Sequence, residues 1–304
     1  MHESQGDFFQ HANERNQVWR IFTGLFIITV TYFAVIFATT IVLAWKGLDL
    51  YQVTMSGSPG GLALMLLSFF PVWVGVAFVS RVLHKRRLQA LYGPNYELSW
   101  VHFIKAGGVV VIMVLIIEAV TQLYLLSSGQ EIYSRNMIDD LYRWCLWVLP
   151  LLGLLIIQIG AEEILFRGYL LQTISARGGN FFWAAALPSV FFGALHFDYV
   201  SFGNNAFAYV ISTSIFGMIL CAITLRLGNL GAAFGLHFFN NLFALFIYGF
   251  NDEMGSMALF HIDIDPKSPL MASGMILQSV LAIIVFYLWR THHKRTNSDA
   301  TLAN

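Results

Sequence analysis

Two adjacent glutamates, Glu162 and Glu163, close a run that is almost wholly apolar from Trp147 to Ala161, and Arg167 follows four residues after the second. A charged side chain at the centre of a bilayer costs about 2.5–3.5 kcal/mol on insertion scales, so acids in such a run point to a task or a partner. Glu163 and Arg167 lie four apart, share a helix face and can pair. Glu162 is turned about 100° from Glu163 on the same helix and needs a partner from another element. Two further apolar runs each carry an imidazole. His196 ends the stretch Phe192-x-x-x-His196, and His237-x-x-x-Asn241 places an imidazole and an amide on one helix face. A glutamate buried beside imidazoles can act as general base on water. Histidine and asparagine donors can hold the oxyanion of a tetrahedral intermediate. Plainer readings stand beside this chemistry: an interfacial ion pair for Glu163 and Arg167, a packed, hydrogen-bonded His196, and interhelical bonding by His237 and Asn241. Glu118, with Gln122 one turn on, has no partner visible in the sequence and receives no role.

The elements that must carry these residues are membrane helices. Of the 304 residues, 57% are hydrophobic and 11% charged, and the mean hydropathy is +0.66. Soluble domains carry about 25% charged residues. A net charge of zero argues against nucleic acid as a partner. Two isolated cysteines, Cys145 and Cys221, build neither a disulfide framework nor a metal pair. Apolar runs over 21–45, 61–80, 106–126, 145–171, 181–197, 206–225, 230–249 and 271–289 predict an all-α, polytopic transmembrane bundle of about eight spans. The fifth run is short for a full crossing. The polar N-terminus followed by a long apolar run reads as a retained first helix. Gly231 and Gly235 open the seventh run at a spacing that favours close helix packing. Thirteen of the seventeen lysines and arginines fall on the side shared by both termini, and Lys46, Arg135, Arg143 and Lys267 on the other. That asymmetry puts both termini in the cytoplasm. One membrane domain over 1–304 is expected, with no internal repeat.

Glu162-Glu163-x-x-x-Arg167, Phe192-x-x-x-His196 and His237-x-x-x-Asn241, in this order on successive apolar segments, resemble the CPBP family of intramembrane proteases. These are the type II CAAX prenyl endopeptidases and their Abi-like, bacteriocin-processing relatives. The resemblance covers a core of roughly 140–250 and leaves 1–139 as additional N-terminal spans. It implies a membrane-embedded hydrolase with Glu162, Glu163, Arg167, His196, His237 and Asn241 as catalytic residues. In that scheme Glu162 activates the attacking water with help from His196, His237 and Asn241 polarise the scissile carbonyl, and Glu163 with Arg167 shapes the site. The family carries both a metal-dependent and a metal-free description. Zn2+ or another divalent metal, if used, would take His196, His237 and Glu162 as three ligands with one position open. No His-Glu-x-x-His helix strengthens that option. The implied partners are a peptide or membrane-protein substrate and the lipid bilayer, and a bacterial inner (cell) membrane is the expected location.

The depths of these residues impose one condition. At about 1.5 Å per residue, Glu162 and His237 both fall roughly 10 Å from the inner edge of the hydrocarbon, whereas His196 counted from residue 181 falls roughly 22 Å deep. The three meet only if the fifth helix begins in the cytoplasm or is strongly tilted, and the former is expected, with Asn180 to Trp183 interfacial. Two other functions compete: a non-catalytic scaffold or bacteriocin-immunity protein of the same fold, and a proton- or cation-coupled transporter with Glu118 and Glu162 on one pathway. Against transport, no paired broken helices are visible.

Overall fold

In a bilayer every backbone polar group must be satisfied within its own segment, which makes helices of the apolar runs. The computed structural model describes residues 8–129, 131–135, 141–178, 180–250 and 254–302. All eight runs are helical. The first is α1, Val18–Ala44; the second is the broken pair α2, Pro59–Leu67, and α3, Phe70–Val82; the third is α4, Trp100–Ser128. The fourth, α5, Leu141–Glu163, continues through a π-helical turn, Ile164–Leu170, into Leu171–Ser175. Then come α6, Phe181–Ala194; α7, Asn205–Leu227; α8, Gly231–Leu242, which also runs into a π turn, Phe243–Ile247; and α9, Pro269–Leu302. Six of the described helices are long and apolar enough to cross a membrane. The two shorter apolar helices, Phe182–Ala194 and Gly231–Ile247, are the ones that lead to His196 and carry His237. This is a polytopic helical bundle with only a small sheet.

Close approach of helices depends on small residues at the contacts. A Cβ on Gly231 or Gly235 would run into the carbonyl oxygen of Ser99 or Phe103, so the two glycines seat α8 directly on the start of α4. On the other flank, Gly193 of α6 admits Ser214 and the Val210 carbonyl of α7, and Gly217 of α7 admits Ser189 of α6. The helices that carry the site are thereby fixed to their neighbours by backbone contact, where a larger side chain would force separation.

At one end of the bundle, β1 (Tyr133–Arg135) runs antiparallel to β3 (Phe260–Ile262), and β3 pairs in parallel with β2 (Tyr248–Phe250). This sheet accounts for Glu118. Its carboxylate accepts from Gln122 at 2.6 Å and from the Tyr133 hydroxyl at 2.9 Å. Burial, and then that bond to Glu118, push the Tyr133 phenol above its usual range.

A second buried polar cluster closes the end where α3 and the α5 extension stop. His84 Nδ1 donates to the Arg15 carbonyl at 2.8 Å, and its Nε2 lies 3.1 Å from the Tyr169 hydroxyl. Asn16 donates to the Ala176 carbonyl, and Phe8 is fully buried in the core, so the N-terminal segment straps this end. The buried Arg86 donates to Gln172 and Thr173 beside the last turn of the α5 extension, where a helix C-terminus favours a cation. Burial lowers Arg86 to about 10. Burial, and then the Arg86 charge, lower His84 from 6.5 to about 4. His84 is therefore neutral in the folded protein at pH values where the unfolded chain already binds a proton. Between pH 6.5 and about 4 the unfolded state gains the proton first, so stability falls as pH falls through that window. Melting temperature measured against pH should show a loss on the order of 1–3 kcal/mol across it. His84→Gln, which keeps a donor for Arg15, should remove that component of the slope.

Candidate active site

α5 and its π turn supply the acids and the arginine. Glu163 and Arg167 are both fully buried, with Arg167 Nη1 2.8 Å from Glu163 Oε1. The same Oε1 accepts from His237 Nδ1 at 2.7 Å, which ties α5 to α8. A carboxylate paired with a guanidinium is an acceptor only, so Nδ1 carries the hydrogen and His237 Nε2 faces the other way. There it lies 3.4 Å from Glu162 Oε2. One imidazole thus lies between both glutamates, hydrogen-bonded to Glu163 through Nδ1 and 3.4 Å from Glu162 Oε2, which has no hydrogen-bond partner, at Nε2. Adjacent residues diverge on a helix, but the two nitrogens of an imidazole also diverge, so a single ring from α8 meets both.

Phe192 orders the rest. Its ring lies under the Arg167 guanidinium, 4.4 Å from the central carbon, which suits a cation over an aromatic face. It also meets His196 edge-on at 4.6 Å and His237 at 5.8 Å between centroids. α6 ends at Ala194, and His196 sits in the turn that follows, with its backbone N–H bonded to the Gly193 carbonyl. His196 Nδ1 donates to the Phe192 carbonyl at 2.8 Å, leaving Nε2 as the free nitrogen. Tyr209 of α7 closes the far side of the ring at 5.9 Å, edge-on. His237 and His196 both lie close enough to act electrostatically on Glu162.

Asn241 lies one turn beyond His237. Its Nδ2 reaches Gln158 Oε1 at 3.4 Å, and its Oδ1 accepts from Asn240 at 3.2 Å. The structure therefore brings five of the expected residues, Glu162, Glu163, Arg167, His196 and His237, into one cluster around Phe192. Asn241 joins through Gln158, which lies one turn before Glu162 on α5. Gln158 has a sequence signal, since it stands four residues before Glu162 in the same apolar run, but an uncharged amide draws no attention there. Glu118 belongs to the sheet described above.

The donor set does not suit a three-ligand metal site. Among the described residues, no three His, Cys, Asp or Glu side chains stand close enough together to hold a metal ion. His237 presents both nitrogens to carboxylates, and one of those carboxylates already serves Arg167. His196, His237 and Glu162 are not brought together as a ligand trio among the described residues.

Residues 144–243 match the family described as type II CAAX prenyl endopeptidase Rce1-like. Over that third of its length the chain is similar to this family. The matched segment contains all six residues singled out above, from the start of the fourth apolar helix to the turn after Asn241. This is a protease family, and its members are embedded in the membrane. The chain is also similar to an uncharacterized protein, YyaK, of Bacillus subtilis (strain 168), at 26% identity over 96% of this chain and 97% of that one. No solved structure matches the chain.

Removing one partner of a buried ion pair leaves the other charge uncompensated, at a cost of about 3–5 kcal/mol. Arg167→Leu is expected to lower stability by that amount in detergent, read from thermal or chemical unfolding. Glu163→Leu placed on top of it should recover part of the loss, because the stranded charge goes with it.

Proposed function

We propose that the protein is an intramembrane endopeptidase in which Glu162 activates the water that attacks a peptide bond. The observation that carries this reading is the inequality of the two acids around one imidazole. Glu163 is sealed at 0% exposure and shared between Arg167 and His237, whereas the Glu162 side chain keeps 12% of its surface open. Among the described residues, its one contact of ionic type is His237 Nε2, at 3.4 Å. Glu162 is the carboxylate that water and a substrate can reach.

In the proposed reaction, Glu162 takes a proton from water as the water oxygen bonds to the carbonyl carbon. The carbonyl π electrons move onto oxygen, and nearby donors hold the oxyanion. Glu162 passes its proton, directly or by way of His196 Nε2, to the amide nitrogen. The C–N bond breaks as the carbonyl re-forms, releasing an amine and a carboxylic acid. Glu163 and Arg167 keep His237 in one tautomer, with Nε2 turned to Glu162. No step passes through a metal, because the side chains do not present a ligand set for one. The substrate class is a peptide or membrane-protein segment. The excess of lysine and arginine on the side of the two termini supports a cytoplasm-facing reaction.

The test is a comparison of membranes from cells carrying wild-type protein or Glu162→Gln. General-base catalysis contributes about 10²–10⁴-fold, so the variant should accumulate an uncut substrate while the protein keeps its melting temperature. A phenotype and a membrane proteome unchanged by Glu162→Gln would remove the hydrolase reading in favour of a scaffold. Metal analysis of the purified protein, with activity measured after chelation, tests the metal-free step separately.

A further inference from the structure

We propose that Tyr209 is a further catalytic residue: its hydroxyl donates to the attacking water, which gives its own two hydrogens to Glu162 and to His196 Nε2. This rests on the hydrolase reading above and adds a third partner for its water.

The chain after His196 turns back to bring Tyr209 against the imidazole. Asp198 caps a one-turn helix, Tyr199–Phe202, by accepting from the Ser201 N–H at 3.0 Å. Gly203 follows at φ +52°, in the left-handed region, where glycine is at no disadvantage. The chain then enters α7, whose Asn205 donates to the Pro266 and Ser268 carbonyls, each at 2.8 Å. So anchored, the Tyr209 ring stacks on Phe202 at 4.8 Å between centroids and meets His196 edge-on at 5.9 Å. Phe202 in turn meets Phe250 of β2 edge-on, at 6.4 Å. These ring contacts fix the phenol and leave its hydroxyl unspent.

Three polar groups of the site are unspent in this way. Among the described residues, the Tyr209 hydroxyl has no hydrogen-bond partner, and neither carboxylate oxygen of Glu162 accepts a hydrogen bond. His196 gives its Nδ1 hydrogen to the Phe192 carbonyl, so Nε2 of the neutral ring is an acceptor. Glu162 lies close enough to act electrostatically on Tyr209, and His196 close enough to act on Glu162. Tyr209, Glu162 and His196 are all half-buried, so none is sealed off.

As a set these groups are two acceptors and one donor. A water molecule brings two hydrogens and two lone pairs, and buried waters typically make about three hydrogen bonds. Giving one hydrogen each to Glu162 and His196 and accepting from Tyr209, the water keeps one lone pair for the carbonyl carbon. The donor is the part that two bases cannot supply. It fixes the direction in which the remaining lone pair points, and orientation of this kind lowers the barrier. As Glu162 takes its proton, the water oxygen becomes hydroxide-like, and a hydrogen bond to a charged oxygen is roughly twice as strong as a neutral one. The phenol keeps its own hydrogen throughout. Its contact is strongest on the way to the transition state, where it raises kcat.

Two substitutions separate the hydroxyl from the ring. Tyr209→Phe loses the hydroxyl and keeps the stack on Phe202 and the edge against His196; Tyr209→Leu loses all three. Full-length protein in liposomes would be assayed on the substrate that accumulates in the Glu162→Gln membranes, recording kcat, KM and melting temperature. Tyr209→Phe should lower kcat about 10–100-fold with KM within about threefold, as loss of a hydrogen bond to a charged group does, at an unchanged melting temperature. Tyr209→Leu should lose kcat at least as far. Wild-type kcat in Tyr209→Phe would overturn the proposal whatever Tyr209→Leu does, because the ring alone would then suffice. A raised KM with kcat intact would overturn it too, by assigning the hydroxyl to substrate binding. So would a kcat that falls only as the melting temperature falls, which assigns the residue to packing. Glu162→Gln, assayed alongside, keeps the two readings apart. The absence of any Glu162-dependent cleavage removes the hydrolase reading and this inference with it, whereas cleavage that needs Glu162 but not the Tyr209 hydroxyl removes this inference alone.

Discussion

The fold around the site depends on one carboxylate oxygen. Glu163 Oε1 accepts from Arg167 on its own helix and from His237 on α8, and all three side chains are buried. An unpaired acid at this depth would be intolerable, so the pair of donors is a condition of folding before it is anything else. Satisfying it has consequences further out. The guanidinium lies over the face of Phe192, Phe192 stands against both imidazoles, and the backbone carbonyl of Phe192 takes the Nδ1 hydrogen of His196. The reactive-looking residues are therefore positioned by a structure that must exist for stability, and Glu162 is the member left over.

Helix packing makes this geometry rigid. α8 is seated on α4 through Gly231 and Gly235, and α6 on α7 through Gly193 and Gly217, so the elements bearing His237 and His196 rest on backbone. The two helices concerned are also the short ones, Phe182–Ala194 and Gly231–Ile247. At about 1.5 Å of rise per residue, neither reaches across a hydrocarbon layer of about 30 Å. Short helices end where polar groups are needed: His196 lies in the turn past α6, and Asn241 lies just before the second π turn. Single π turns recur at functional sites inside α-helices, and here one carries Arg167.

Much of this was legible in the residues. Each of the eight apolar runs is helical, the second as a broken pair, since a bilayer leaves the backbone no alternative. The spacing of Glu163 and Arg167 anticipates their pair, and the isolation of Glu162 anticipates a partner on another helix, which is His237. What the sequence hides is shared or distant. A helical wheel separates Glu162 from Glu163 and does not show that one imidazole can meet both. Phe192 looks like one apolar residue among many, although its face holds a cation. Glu118 finds its second partner in Tyr133, on a strand defined only by pairing with a loop far along the chain. The π turns have no local signature at all.

The first of those turns also constrains the length of the chain. A π turn holds more residues than the α turn it replaces. It stands between two polar anchors on one continuous helix: Glu163, bound to α8, and Gln172, which accepts from Arg86 and donates to the Ala90 and Leu91 carbonyls. Inserting a further residue between them without another wide turn would swing one anchor about 100° relative to the other. Substitutions in Ile164–Leu170 can be absorbed one at a time by local repacking, but a change in residue count has to be taken up by the turn itself. Over these few positions the spacing itself, counted in residues, is what selection can see.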